Sequence, residues 1–235
     1  MAKKIQKDNL NVVTIDKDFN EKGKQYREGD MIFMFNLKRI TDVQTPLMQE
    51  WINIDLPVLD IYEERVFNKK IKQLVSSMEG WSEEDLKMKF LAFMLDLGNL
   101  EEEGKIVTFF DKIISTTVEG IKLTVKSDFM MAMGVLDVVK TPYFHFQEYK
   151  PAKNPKGDPM GQLLEAFLIA QEVNKNGLPM YGVEIIGANC RFVIMEGKEY
   201  CISEPYSCVK RDDLLKIIGI FRKFKEILMT RLIKA

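Results

Sequence analysis

The spacing of apolar residues changes twice along the chain, and each change marks a different kind of element. From residue 31 to 80 apolar positions recur mostly at helical intervals: Trp51, Leu56, Leu59, Ile61, Val66, Ile71 and Leu74, after a short apolar run Met31–Phe35. Residues three, four or seven apart share a helix face, so a helix is expected over Asp55–Ser77, with Pro57 in the first turn. Ser82-Glu83-Glu84-Asp85 reads as the next helix start. The serine can cap free amides, and the acids suit the positive end of the helix dipole. That helix should run to Leu97 and stop at Gly98-Asn99. Leu86, Phe90, Phe93, Met94 and Leu97 make its main stripe, and Met88, Leu91 and Leu95 widen it, as befits a core helix.

From residue 105 to 150 the pattern shifts to β-branched and aromatic residues. Strands are expected over 106–110, 113–118, 121–133 and 142–150, punctuated by Glu119-Gly120 and Gly134. Residues 151–159 (PAKNPKGDP) read as a loop. A helix over 160–173, a strand over 181–186, a hairpin of 191–195 with 199–202 and a last helix over 211–233 complete the order. Helix, three or more strands, helix, strand, more strands and helix describe an α/β fold with a mixed sheet and a helix on each face. The organisation expected is an arm over 1–30, a helical extension over 31–80 and an α/β domain over 81–235.

Composition narrows the chemistry. The 235 residues carry a formal net charge of −1, so any nucleic-acid contact must come from a local patch. The three cysteines, Cys190, Cys201 and Cys208, form no CxxC pair, and His145 is the only histidine. A structural zinc site, a disulfide framework and a hydrolase triad are all disfavoured. No Walker or dinucleotide-binding glycine pattern occurs. Without a visible signal peptide or an apolar run of membrane length, a cytoplasmic protein is expected, with no membrane contact.

Three charges then stand out on predicted strands. Asp128 opens the apolar run Phe129–Met133, and Glu148 and Lys150 close the strand that contains Phe144 and Phe146. Alternation puts Glu148 and Lys150 on one face, expected to continue the face of the two phenylalanines. Two carboxylates on neighbouring strands suit a magnesium-type ion, which prefers oxygen ligands. A lysine beside them could position an attacking water or stabilise phosphate charge. Taken alone, Asp128 is better read as a strand-end residue capping a turn, and Glu148 with Lys150 could be a same-face surface pair.

Asp128 followed by Glu148-Tyr149-Lys150 resembles the D…ExK motif of the PD-(D/E)XK nuclease superfamily, with Ser127 in place of the proline. The helix, three strands, helix and strand from Ser82 to Ile186 are similar to its restriction-endonuclease-like core. The resemblance covers about half the chain. It implies a Mg2+- or Mn2+-dependent nuclease acting on DNA, with Asp128 and Glu148 as metal ligands and Lys150 as the catalytic lysine. It further implies an acid from the first helix, for which Glu84 is the first choice and Glu83 the next, and a glutamine from the later helix, matched by Gln162. Lys153 and Lys156 would then lie where a loop could meet phosphates. His145, of opposite parity to Glu148, is expected to be structural. The alternative on the same fold is a non-catalytic nucleic-acid- or protein-binding or assembly protein, with segment 31–80 serving a partner or a homodimer. A third reading is an unrelated α/β domain.

Overall fold

An open, mixed sheet of eight strands, flanked by helices on both faces, organises the computed structural model, which describes residues 26–41, 45–103, 105–136, 138–153 and 157–233. The arm expected over 1–30 lies outside the described residues as far as residue 25. The strands are β1 (Lys38–Ile40), β2 (Val107–Val118), β3 (Ile121–Val135), β4 (Val138–Lys150), β5 (Met180–Ile186), β6 (Asn189–Glu196), β7 (Glu199–Ile202) and β8 (Tyr206–Ser207). Their order is β1-β7-β6-β5-β4-β3-β2, with β8 on β6. The helices are α1 (Glu28–Phe35), α2 (Pro46–Ile52), α3 (Ile61–Ser77), α4 (Glu83–Asp85), α5 (Ala92–Gly98), α6 (Pro159–Asn174) and α7 (Arg211–Ile227). Among the described residues no helix is long and apolar enough to cross a membrane.

Strand alternation sends successive apolar side chains to opposite faces, giving two cores. Phe129, Met131, Tyr149, Val183 and Phe192 face α2, α5 and α7, while Met130, Phe146, Val193 and Met195 face α6 and α1. The pairing of β4 with β5 is parallel, which requires a crossover, and α6 supplies it. Asp158 caps α6 by accepting hydrogen bonds from the Met160 and Gly161 amides at 3.0 and 3.2 Å. Its other oxygen accepts the Glu28 amide at 2.9 Å, which docks the start of α1 onto α6. Gly161 is required there: a Cβ would lie 2.1 Å from the Tyr26 carbonyl oxygen.

Several expectations are revised. The helix expected from Asp55 starts at Ile61, because Asp60 and Glu63 form a reciprocal cap on each other's amides. Glu28-Gly29-Asp30, at the end of the expected arm, is the first turn of α1, with Asp30 accepting the Arg27 amide. Segment 31–80 is not purely helical, since β1 joins the sheet edge beside β7, and Trp51 sits in the core beneath α7. The two strands expected over 106–118 are one strand kinked at Asp111, whose φ is +53°. A register shift where β3 meets β4 breaks the expected alternation, so Phe144 and Phe146 point into different cores.

Candidate active site

The site arises where two paired strands separate. The β3–β4 ladder ends with Phe129 opposite Gln147. Beyond it, β3 continues only with β2 while β4 runs on beside β5. The Tyr149 amide, deprived of a β3 carbonyl, donates instead to Asp128 Oδ2 at 2.9 Å. A carboxylate is thereby held in the fork, 5% exposed. Glu148 and Lys150, in unbroken register with β5, point to the face of Phe146, the α6 side.

Lys150 Nζ lies 3.8 Å from Asp128 Oδ2 and 3.5 Å from Glu83 Oε2. Glu83 comes from α4, whose start is fixed by Ser82 and Asp85, each accepting the other's amide hydrogen. Helical periodicity then leaves Glu84 exposed and turns Glu83 toward the strands. Of the two acids weighed from the sequence, Glu83 is therefore the one brought to the cluster. Gln162 is buried in the first turn of α6 with its Oε1 unpartnered. Lys153 is exposed beyond β4, and Lys156 lies outside the described residues.

Glu148 is the anomaly of this cluster. It is completely buried, and neither carboxylate oxygen has a hydrogen-bond partner. Burial pushes its pKa well above the ordinary carboxylate value, and the charge of Asp128 adds to that effect while Lys150 opposes it. A fold does not normally leave both oxygens of a buried carboxyl bare. Across the parallel ladder Glu148 faces Glu184, also buried and also raised by burial, but held by the Arg191 guanidinium, whose Nε lies 2.7 Å away. From Glu184 a cleft of about 680 Å3 opens along β5, β6 and β1, lined by Arg39, Asn189, Arg191 and Ser203.

Two further residues complete the cluster without a sequence motif to announce them. Lys87 Nζ is 2.9 Å from Asp128 Oδ1, 3.0 Å from Asp111 Oδ1 and 3.4 Å from Glu83 Oε1. Lys87 belongs to a π-helical stretch, Leu86–Leu91, that joins α4 to α5. The sequence hint is a lysine four residues after Glu83, on a helix that also carries Lys89 and Asp96. Asp111 reaches it from the left-handed kink in β2.

His145 is fully buried among Trp51, Phe129, Phe221 and Phe224, and burial lowers its pKa to about 3. It lies on the opposite face from Glu148. It bonds Gln147, which in turn accepts the Tyr149 hydroxyl proton, so this polar row fixes β4 within the core.

Neither a family model nor a curated protein matches the chain. Among the described residues no group of three or more His, Cys, Asp or Glu side chains is placed to hold a metal ion. A magnesium-type ion, however, needs only one or two protein carboxylates, with waters and substrate oxygens filling the rest. The bare oxygens of Glu148 beside Asp128 fit that requirement.

Proposed function

We propose that Asp128, Glu148 and Lys150 form a Mg2+- or Mn2+-dependent site of the PD-(D/E)XK, restriction-endonuclease-like kind, which hydrolyses phosphodiester bonds in DNA. The observation that carries this reading is the unpartnered, fully buried Glu148 carboxyl at a strand fork that also holds Asp128 and a lysine. The order helix, β2, β3, β4, α6 and β5 around that fork supports the fold assignment.

Asp128 and Glu148 would hold the ion, with Glu83 at its rim. The bound ion supplies positive charge to the phosphate and lowers the pKa of an attacking water. Lys150, 6% exposed at its side chain and flanked by Asp128 and Glu83, keeps an ammonium directed at the cluster. There it orients the water and stabilises the charge that builds on the phosphate oxygens. The resemblance also assigns Gln162 to the site, and its oxygen is unpartnered in the first turn of α6. The cleft beside Glu184 gives the polynucleotide a path, and the Arg39 and Arg191 guanidiniums meet its backbone.

The test is cleavage of single- and double-stranded DNA by purified protein with Mg2+ or Mn2+. Asp128→Asn, Glu148→Gln and Lys150→Ala should each lower the rate by about 100-fold or more, the scale of losing one such group. Cleavage that persists equally in all three variants contradicts the assignment. One observation favours a second reading, a non-catalytic binder: Lys87 and Lys150 already neutralise Asp128. Its expected result is DNA retained by the wild-type protein but left intact in the presence of either metal.

A further inference from the structure

We propose that Lys87 is a tethered counter-cation that occupies the Asp128 side of the metal position and must move off Asp128 before a divalent ion can bind. This inference rests on the metal-site reading above. Three distances support it. Lys87 Nζ contacts Asp128 Oδ1, Asp111 Oδ1 and Glu83 Oε1 at 2.9, 3.0 and 3.4 Å. The Oδ1 atom is the one Asp128 oxygen not committed to the Tyr149 amide, so it is the oxygen a metal would take. Two positive charges cannot share one carboxylate oxygen at contact distance without strong repulsion.

The surroundings give the ammonium somewhere to go. Asp111 sits at the outer side of the contact, about half exposed, on a kinked and left-handed stretch of β2. An aspartate at positive φ in mid-strand breaks the local ladder, and here its carboxylate is aimed at Lys87 and Lys126. Lys87 itself stands on a π-helical turn, a rare backbone form that is frequent at functional sites. Loosened from Asp128, the ammonium remains bound to Asp111. Lys87 thus stands among the Asp128, Asp111 and Glu83 carboxylates.

Mn2+ binding measured by calorimetry on the full chain tests the proposal. Lys87→Met keeps the apolar stem and removes the charge, and should tighten Mn2+ binding by about tenfold or more, the scale of removing one contacting charge. Lys87→Gln serves the same purpose should Lys87→Met fail to fold. Asp111→Asn removes the alternative holder and should weaken binding, opposite in sign. Lys126→Met, which removes an exposed charge that touches Asp111 but not Asp128, is the control for a general field effect and should change affinity by less than about threefold. A purely structural Lys87 predicts weaker binding in Lys87→Met. If the wild type binds Mn2+ and Lys87→Met binds it no more tightly, the displacement idea falls and the metal site stands. If neither the wild type nor any Lys87 variant binds Mn2+, both fall together.

Discussion

Two carboxyls buried on the α6 side of the sheet show how differently the same group is used. Glu165, on α6, accepts the Thr124 amide at 3.0 Å and so ties the β2–β3 hairpin to the helix. Glu148 accepts nothing. Burial raises the Glu165 pKa to about 8, against an unfolded value of about 4.3. The folded state thus favours the protonated form. Its contribution to stability is complete below about pH 4.3 and is lost progressively as the pH climbs to about 8, with a slope of up to about 1.4 kcal/mol per pH unit. Glu165→Gln keeps the acceptor oxygen and removes the titration. Urea midpoints at pH 5, 6.5 and 8 should show the variant gaining on the wild type as the pH rises, and parallel profiles would contradict the assignment. Spacing and parity were enough to single out Asp128, Glu148 and Lys150 as residues. Lys87 and Asp111 are not visible in the same way, because the contacts of Lys87 with Asp128 and Asp111 depend on a π-helical turn and a positive φ that no local pattern encodes.

Elements position these groups through their ends more than through their middles. The starts of α3, α4 and α6 are each fixed by an acid or serine that accepts local amide hydrogens. The Ser82 start was legible because its cap precedes a strong apolar stripe, and it brings Glu83 to the strands. The start of α3 was not, because apolar residues at helical spacing continue back to Leu56, through an extended stretch that only Asp60 ends. Asp158 serves two elements at once, capping α6 and receiving the first amide of α1. Asp158→Ala should lower stability by about 1–2 kcal/mol in urea unfolding. The loss should shrink little at high salt, since most of it comes from orphaned amides instead of screened charge. An unchanged midpoint would mean that the docking of α1 is held by packing alone. The strands of the long β2–β3 hairpin are expected in a mixed sheet, but the fork is not, because register follows from which partner each strand finds.

At the scale of the whole molecule the fork sets its acids against Lys87 and Lys150, and the adjoining cleft sets Arg39 and Arg191 beside Glu184 and Glu204. A net charge of −1 supplies no long-range attraction for a polyanion, so the proposed DNA binding would have to be local and strongly dependent on the few cations in place. Arg39 lies on β1, part of the segment expected as a separate helical extension, and stands 3.3 Å from Glu28 at the cleft wall. Arg39→Ala should weaken binding of a short DNA strand severalfold and reduce the steepness of its salt dependence by roughly one released counterion, read by fluorescence anisotropy across a salt series. An unchanged slope would place the strand elsewhere on the surface. The α/β class and the helix on each face followed from the order of periodicities. The incorporation of β1 into the sheet did not, because three residues carry too little pattern to register as a strand.

The most direct test of the central claim is an anomalous-scattering map from crystals of the protein soaked in Mn2+. The account predicts a peak within bonding distance of both Asp128 and Glu148, with Lys87 withdrawn from Asp128 and still held by Asp111. A map without a peak at the fork, with Lys87 still seated on Asp128 at saturating Mn2+, would contradict it.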